Sequence, residues 1–195
     1  MEKNPQHRPP GAGKSSFDLI DPEKVFSQLK QGSAFLDIGC GRGDYSLFAS
    51  SIIGADGLVF AIDLWEEGIS VLKKQIQARG IKNIRPMIAD AGLKIPLADH
   101  SIDFCLMATV LHDLAEAKTA QGALRETRRV LIKEGQLAII EFKKIEGPPG
   151  PPLHIRLSPE EVERMVIPFG FRKESVTEVG LYNYLMIFSA VKIDE

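Results

Sequence analysis

Cysteine is scarce in this chain, with Cys40 and Cys105 the only two among 195 residues. Two thiols exclude a disulfide framework and a multi-cysteine zinc site, so no metal is expected. Long apolar runs are missing as well. None approaches the ~18–20 residues of a membrane span, and no secretory apolar stretch follows Met1. Charge of one sign is not in excess: 24 Lys and Arg stand against 26 Asp and Glu, which gives no electrostatic reason to expect a nucleic-acid partner. No internal repeat and no second domain is visible. These absences leave a soluble protein of a reducing compartment, with a cytoplasmic location expected. The length suits one domain with a substantial core.

Residues 1–16 are rich in Pro, Gly, Lys and Arg without an apolar period. They are expected to form a flexible arm ahead of a single domain over 17–195. The arm ends in GAGKSS (11–16), the tail of a nucleotide-binding phosphate loop. The full pattern requires glycine where Arg8 stands and a hydrophobic strand in front, where MEKNPQHRP is polar. The match is read as coincidental.

Short apolar runs then alternate with helical patterns. AFLDI (34–38), LVFAID (58–63), IDFCLMA (102–108) and QLAIIEF (136–142) read as strands, and NIRPMIAD (83–90) as a weaker one because of Pro86. Tyr45, Phe48, Ala49, Ile52 and Ile53 share one helical face. Ile69, Leu72 and Ile76 mark a helix that Gly80 can end. A helix is expected over 117–132, and Ser158, Pro159 and Glu161 spell a capping box for another. Two strand patterns near 171–179 and 184–192 follow without a helix between them and read as an antiparallel pair. The alternation predicts an α/β fold, a doubly wound and mostly parallel sheet with helices on both faces. Ligands of such sheets bind at the carboxyl ends of the strands.

FLDIGCGRGDYS (35–46) is the glycine-rich loop that follows a strand and opens a helix, with Asp37, Gly39, Gly41 and Gly43 in alternation. Its glycines permit a tight turn and a close approach of backbone to ligand. A dinucleotide fingerprint would need glycine at 44, and Asp44 there would repel a pyrophosphate. With Asp37 just ahead, the loop suits a ligand carrying positive charge. Asp63 ends the second strand, placed to accept from ribose hydroxyls, and Asp90 ends the third, placed to receive an adenine amino group. Acids at strand ends also cap the next helix, and that reading stays open for both.

These stretches, with AID ending at Asp63, IAD ending at Asp90 and IDFCLMATVLHDL, resemble the ordered motifs of class I S-adenosylmethionine-dependent methyltransferases. The ubiquinone/menaquinone-biosynthesis type (methyltransferase type 11) is the particular group they are similar to. The resemblance spans roughly 22–192. It implies a Rossmann-like seven-stranded sheet whose last strand inserts antiparallel, and S-adenosyl-L-methionine as cofactor with S-adenosyl-L-homocysteine as product. It also implies that Asp37 serves the methionine ammonium, Asp63 the ribose and Asp90 the adenine. Cys40 and Leu64 would contact the cofactor by backbone and packing. Gly39, Gly41, Gly43, Ala91 and Ala108 complete the expected cofactor site.

On the acceptor side a small molecule is expected, because no substrate domain interrupts the core. His112 is the candidate base or orienting group, with a histidine merely bonded to backbone as the plainer reading. Glu141, at a strand end, is the second catalytic candidate. KKIEGPPGPPLHIR (143–156) is read as a semi-rigid loop. It is either a lid with hinges near Gly147 and Gly150 and with His154 and Arg156 turned inward, or an exposed crossover. Arg125, Arg128 and Arg129 read as a solvated face, and Trp65 either flanks the adenosine or packs at a helix start. Two other functions stay open: a non-catalytic S-adenosylmethionine-binding regulatory subunit, and a nicotinamide-dependent oxidoreductase, which Asp44 opposes.

Overall fold

The computed structural model describes residues 15–191. The expected arm lies outside the described residues except for Ser15 and Ser16. Seven strands form one sheet: β1 (Ala34–Ile38), β2 (Leu58–Asp63), β3 (Ile84–Ile88), β4 (Ile102–Ala108), β5 (Leu131–Phe142), β6 (Phe171–Glu178) and β7 (Asn183–Ala190). They lie in the order β3-β2-β1-β4-β5-β7-β6. Strands β1 to β5 pair in parallel, and β7 inserts between β5 and β6 antiparallel to both. This is the seven-stranded arrangement the sequence implied. Strand β3 is shorter than expected, and β5 begins at Leu131, directly after its helix, rather than near Gln136.

The period-2 alternation of the central strands divides the interior into two cores. Phe35, Phe104, Leu106 and Ile140 face one side, against Tyr45, Ala49 and Ile53 of α2 (Asp44–Ile53) and Ile69 and Leu72 of α3 (Glu66–Arg79). Leu36, Ile38, Cys105, Met107 and Ile139 face the other side. There they meet Leu111 of α4 (Leu111–Glu116), Ala123 and Leu124 of α5 (Ala120–Val130) and Val162 and Val166 of α6 (Pro159–Val166). By the same parity Asp37, between Leu36 and Ile38, points to the α2 side, while Glu141 shares its face with Ile139 and looks to α4. The sequence therefore sends two buried acids to opposite faces of one sheet.

A 3-10 turn at Phe17–Leu19 and the short helix α1 (Pro22–Val25) cover the first face. Asp21 caps α1 by accepting from the Glu23 and Lys24 amides. Behind it Phe26 packs on Phe35 and Phe48, with ring centroids 5.8 Å and 5.3 Å apart. Gly80 ends α3 with φ of 65°, and the capping box of Ser158 and Glu161 is formed on α6. Among the described residues no helix is long and apolar enough to cross a membrane.

Candidate active site

The parallel strands bring Ile38, Asp63, Ala108 and Phe142 to one edge of the sheet, and the site is built on that edge. After β1 the chain turns through Gly39, Gly41 and Gly43, all at positive φ (75°, 55° and 88°), the last serving as N-cap of α2. The Gly39 and Cys40 amides donate to the Ile62 carbonyl, which ties the loop to β2. A Cβ at Gly39 would strike Val110 and one at Gly43 would strike Leu72, so those two are tightly packed. A Cβ at Gly41 would meet nothing within 4 Å. Gly41 therefore borders open space, the place where backbone can touch a ligand. Cys40 is buried beside it, its thiol pKa pushed up by burial and by the nearby acids.

Asp37 is 1% exposed and accepts from Ser46, whose Oγ is 2.6 Å away and whose backbone amide also bonds the carboxyl. Burial is the main cause that raises its pKa to about 7; the Ser46 bonds pull the other way, and the charges of Asp63 and Asp44 add to the rise. A buried carboxyl with one neutral partner is a group that a cation would satisfy.

Asp63 uses one oxygen to accept from the Gly41 amide (2.7 Å) and the other from the Trp65 amide (2.8 Å). The carboxylate pins the glycine loop and holds the amide that opens α3. Asp90 Oδ1 accepts from the Gly92 amide at 2.8 Å in a local turn. That turn is clamped by α5: a Cβ on Gly122 would lie 1.9 Å from the Gly92 carbonyl, so α5 fixes the Asp90 turn through a backbone contact. Ala91 is buried in this turn and Ala108 partly buried at the β4 end, whereas Leu64 is 55% exposed beside Asp63. Trp65 is buried, with the Arg42 guanidinium 5.6 Å above its ring.

On the other face, His112 and Glu141 meet. Glu141 is fully buried; its Oε1 accepts from the His112 amide at 3.0 Å and its Oε2 lies 2.7 Å from His112 Nδ1. Burial pulls the imidazole pKa down. The hydrogen bond and charge of Glu141, joined by Asp113, outweigh it, so the pKa stands above the ordinary value. A carboxylate on Nδ1 selects the tautomer with the proton there and leaves the Nε2 lone pair available, the arrangement of a general base. Asp113 Oδ1 is 3.6 Å from Nε2, beyond hydrogen-bond reach.

Sequence reasoning missed a third group. Ser16 is 4% exposed, its hydroxyl 2.9 Å from Tyr45 Oη and 3.2 Å from Thr109 Oγ1, and Thr109 holds φ of 54° in the turn after β4. No periodicity marks Ser16 or Thr109. The helical face gave Tyr45 as apolar, without its hydroxyl partner. The expected inward-turned His154 is solvent-exposed, while Arg156 is buried. The expected solvated arginine face holds only at the exposed Arg125; Arg128 and Arg129 are half-buried and engaged. Arg129 binds Glu126, Asp99 and two backbone carbonyls, Arg128 donates to the Val191 carbonyl, and Arg125 lies over the Phe169 ring.

The comparisons with known proteins agree with this geometry. Residues 36–139 match the family model described as a methyltransferase domain. A crystal structure of a SAM-dependent methyltransferase from Aquifex aeolicus is 34% identical and covers 97% of this chain and 100% of that one, with a TM-score of 0.84. Similar curated proteins include the ubiquinone/menaquinone biosynthesis C-methyltransferase UbiE of Azotobacter vinelandii, 33% identical over 119 residues, and a demethylmenaquinone methyltransferase of Geobacillus kaustophilus, 26% identical over 113. The chain spans about half the length of these curated relatives, 46% and 47%. A family model matches over half the chain and a solved relative along 97% of it, and the chain belongs to the S-adenosylmethionine-dependent methyltransferase family.

Proposed function

We propose that the protein transfers the methyl group of S-adenosylmethionine to a small organic acceptor whose nucleophile gives up a proton to His112. The observation that carries this reading is the buried His112–Glu141 pair at 2.7 Å, on the strand-end edge that also carries the glycine loop. The residues present suit the cofactor: among the described residues Asp37 has no cationic partner, Gly41 borders open space, and Asp63 has lone pairs to spare.

When bound, S-adenosylmethionine supplies an electrophilic methyl group, so the protein's work is alignment and exclusion of water. In this proposal Asp37 accepts from the methionine ammonium. The backbone of Gly39, Cys40, Gly41 and Gly43 would hold the methionine portion, and Asp63 would accept from the ribose hydroxyls. Asp90 accepts from the adenine amino group, with Leu64 and Ala91 as apolar cover, and Ala108 leaves room at the β4 end. His112 Nε2 takes the acceptor proton while Glu141 balances the charge that develops on the imidazole. The names of the curated relatives favour a quinone-type acceptor.

The test is transfer of labelled methyl from S-adenosylmethionine to a panel of acceptors that includes reduced demethylmenaquinone. Product should form with the wild type, and His112→Ala should lower turnover by roughly 10²–10⁴. Its affinity for S-adenosylhomocysteine should stay within about twofold of wild type, because His112 faces the acceptor. Full turnover in His112→Ala would remove the base from this account.

A further inference from the structure

Arg156 is 2% exposed, yet among the described residues it makes no ion pair. Its guanidinium is used on backbone instead. Nε donates to the Pro151 carbonyl at 2.9 Å, and Nη1 donates to those of Lys143 and Ile145 at 3.1 Å and 2.7 Å. Nη2 donates to those of Gly147 and Pro149 at 2.6 Å and 2.9 Å. Arginine has five N–H donors in a planar fork, so each one is engaged. The segment around it explains the need. Pro148, Pro149, Pro151 and Pro152 have no N–H, so the loop is short of donors, and the guanidinium supplies them to the Ile145, Gly147, Pro149 and Pro151 carbonyls while sharing that of Lys143 with the Ile145 amide. Below the guanidinium lies the Phe142 ring at 5.7 Å, and Gly150 approaches the same ring so closely that a Cβ there would fall 2.7 Å from Cδ1.

We propose that Arg156 is a positioning residue that templates 143–156 into a preformed wall of the acceptor mouth, with no opening and closing of that segment. The inference rests on the reading that His112 and Glu141 face the acceptor. The wall begins at Lys143, directly after the end of β5 and two positions after Glu141, so its placement fixes one boundary of the space beside the pair. Gly147 and Gly150, which the sequence suggested as hinges, instead hold positive-φ turns inside the arginine's cage. The charge of Arg156 also acts on His112, opposing its protonation, while Glu141 and Asp113 favour it.

The experiment compares wild type, Arg156→Lys and Arg156→Gln as full chains by hydrogen exchange, with and without S-adenosylhomocysteine. The amides read are those of Lys143, Ile145 and Ile155, which are hydrogen-bonded within and beside the wall. In the wild type their exchange should be slow and unaltered by the ligand. Both variants should exchange there at least about tenfold faster, with β1 and β4 unchanged. Nuclear magnetic resonance titration of His112 should shift upward in Arg156→Gln, and less in Arg156→Lys, which keeps the charge. Affinity for S-adenosylhomocysteine should stay within about twofold of wild type, since the cofactor contacts lie elsewhere. Strong ligand-induced protection of these amides in the wild type, or wild-type exchange in both variants, would overturn the proposal. Failure of the protein to bind S-adenosylhomocysteine would count against the proposed function, while exchange in the ligand-free protein would still decide the role of Arg156.

Discussion

Asp37 should make cofactor affinity depend on pH. In the ligand-free protein its carboxyl has a pKa of about 7 because burial removes it from water, which outweighs the hydrogen bonds from the Ser46 hydroxyl and amide. Under the proposed assignment the bound state needs the carboxylate, so below pH 7 ligand binding must first expel a proton. Each pH unit below 7 then weakens apparent affinity about tenfold, and the curve flattens above pH 8. The same group governs stability with a definite sign. The folded pKa lies near 7 and the unfolded value near 3.8. Between those values the native state holds a proton that the unfolded chain has lost, so stability falls as pH rises through that window. The full loss is about 4 kcal/mol when no ligand is bound. Asp37→Asn removes both effects. The variant should bind S-adenosylhomocysteine weakly at every pH and be more stable than wild type at pH 8 without ligand. Calorimetry from pH 5.5 to 8.5 and urea unfolding at pH 5 and 8 check the two halves. A pH-independent affinity in the wild type, or an unchanged pH dependence in Asp37→Asn, would refute the reasoning.

Asp63→Ala should weaken S-adenosylhomocysteine binding by roughly 1.5–3 kcal/mol, the range for a hydrogen bond to a charged group, and should also loosen the glycine loop through the lost Gly41 contact. Calorimetry on a variant with native circular dichroism reads this, and an unchanged dissociation constant would leave Asp63 as a cap alone. Gly41→Val should cost about 1–2 kcal/mol of stability, from a branched side chain at φ of 55°, because no protein atom lies in its way. Cofactor affinity should fall at least about tenfold in that variant, because the side chain fills the space over the loop; wild-type affinity would move the ligand elsewhere. Glu141→Gln should lower the His112 pKa. The folded pKa of His112 is raised, so its stabilisation is present below about pH 6.5 and is lost as pH rises through the folded pKa. The advantage of the wild type over Glu141→Gln in stability should therefore be larger at pH 5.5 than at pH 9. A gap independent of pH in urea unfolding would contradict the charge-assisted pairing.

Strong periodic signals were legible. Strands β1, β2 and β4 fall where their apolar runs ended, because each is buried on both faces and bounded by a turn residue. The insertion of β7 between β5 and β6 came from the family resemblance, since no local pattern states which strand a hairpin partner will join. Asp63 ends β2 as strand-end logic expected and bonds the amide at the start of α3, whereas Asp90 falls two residues beyond the end of β3 and closes a turn, with no helix between β3 and β4 for it to cap. The His112–Glu141 pair was named as two separate candidates. Their contact crosses 29 positions of sequence and depends on β4 and β5 lying side by side. Arg156 was the least legible. A proline-rich loop suggests an extended segment, and nothing local shows that five carbonyls will converge on one side chain. Ser16 was lost for a related reason, as a polar residue at the end of an unpatterned stretch whose partners lie in α2 and after β4.

A crystal structure with S-adenosylhomocysteine bound tests the central claim most directly. The account predicts the ribose hydroxyls within hydrogen-bond distance of Asp63, the ammonium group against Asp37, and the sulfur directed toward the space between Thr109 and His112. Ligand bound away from the 37–43 loop, or a sulfur pointing away from His112, would contradict it.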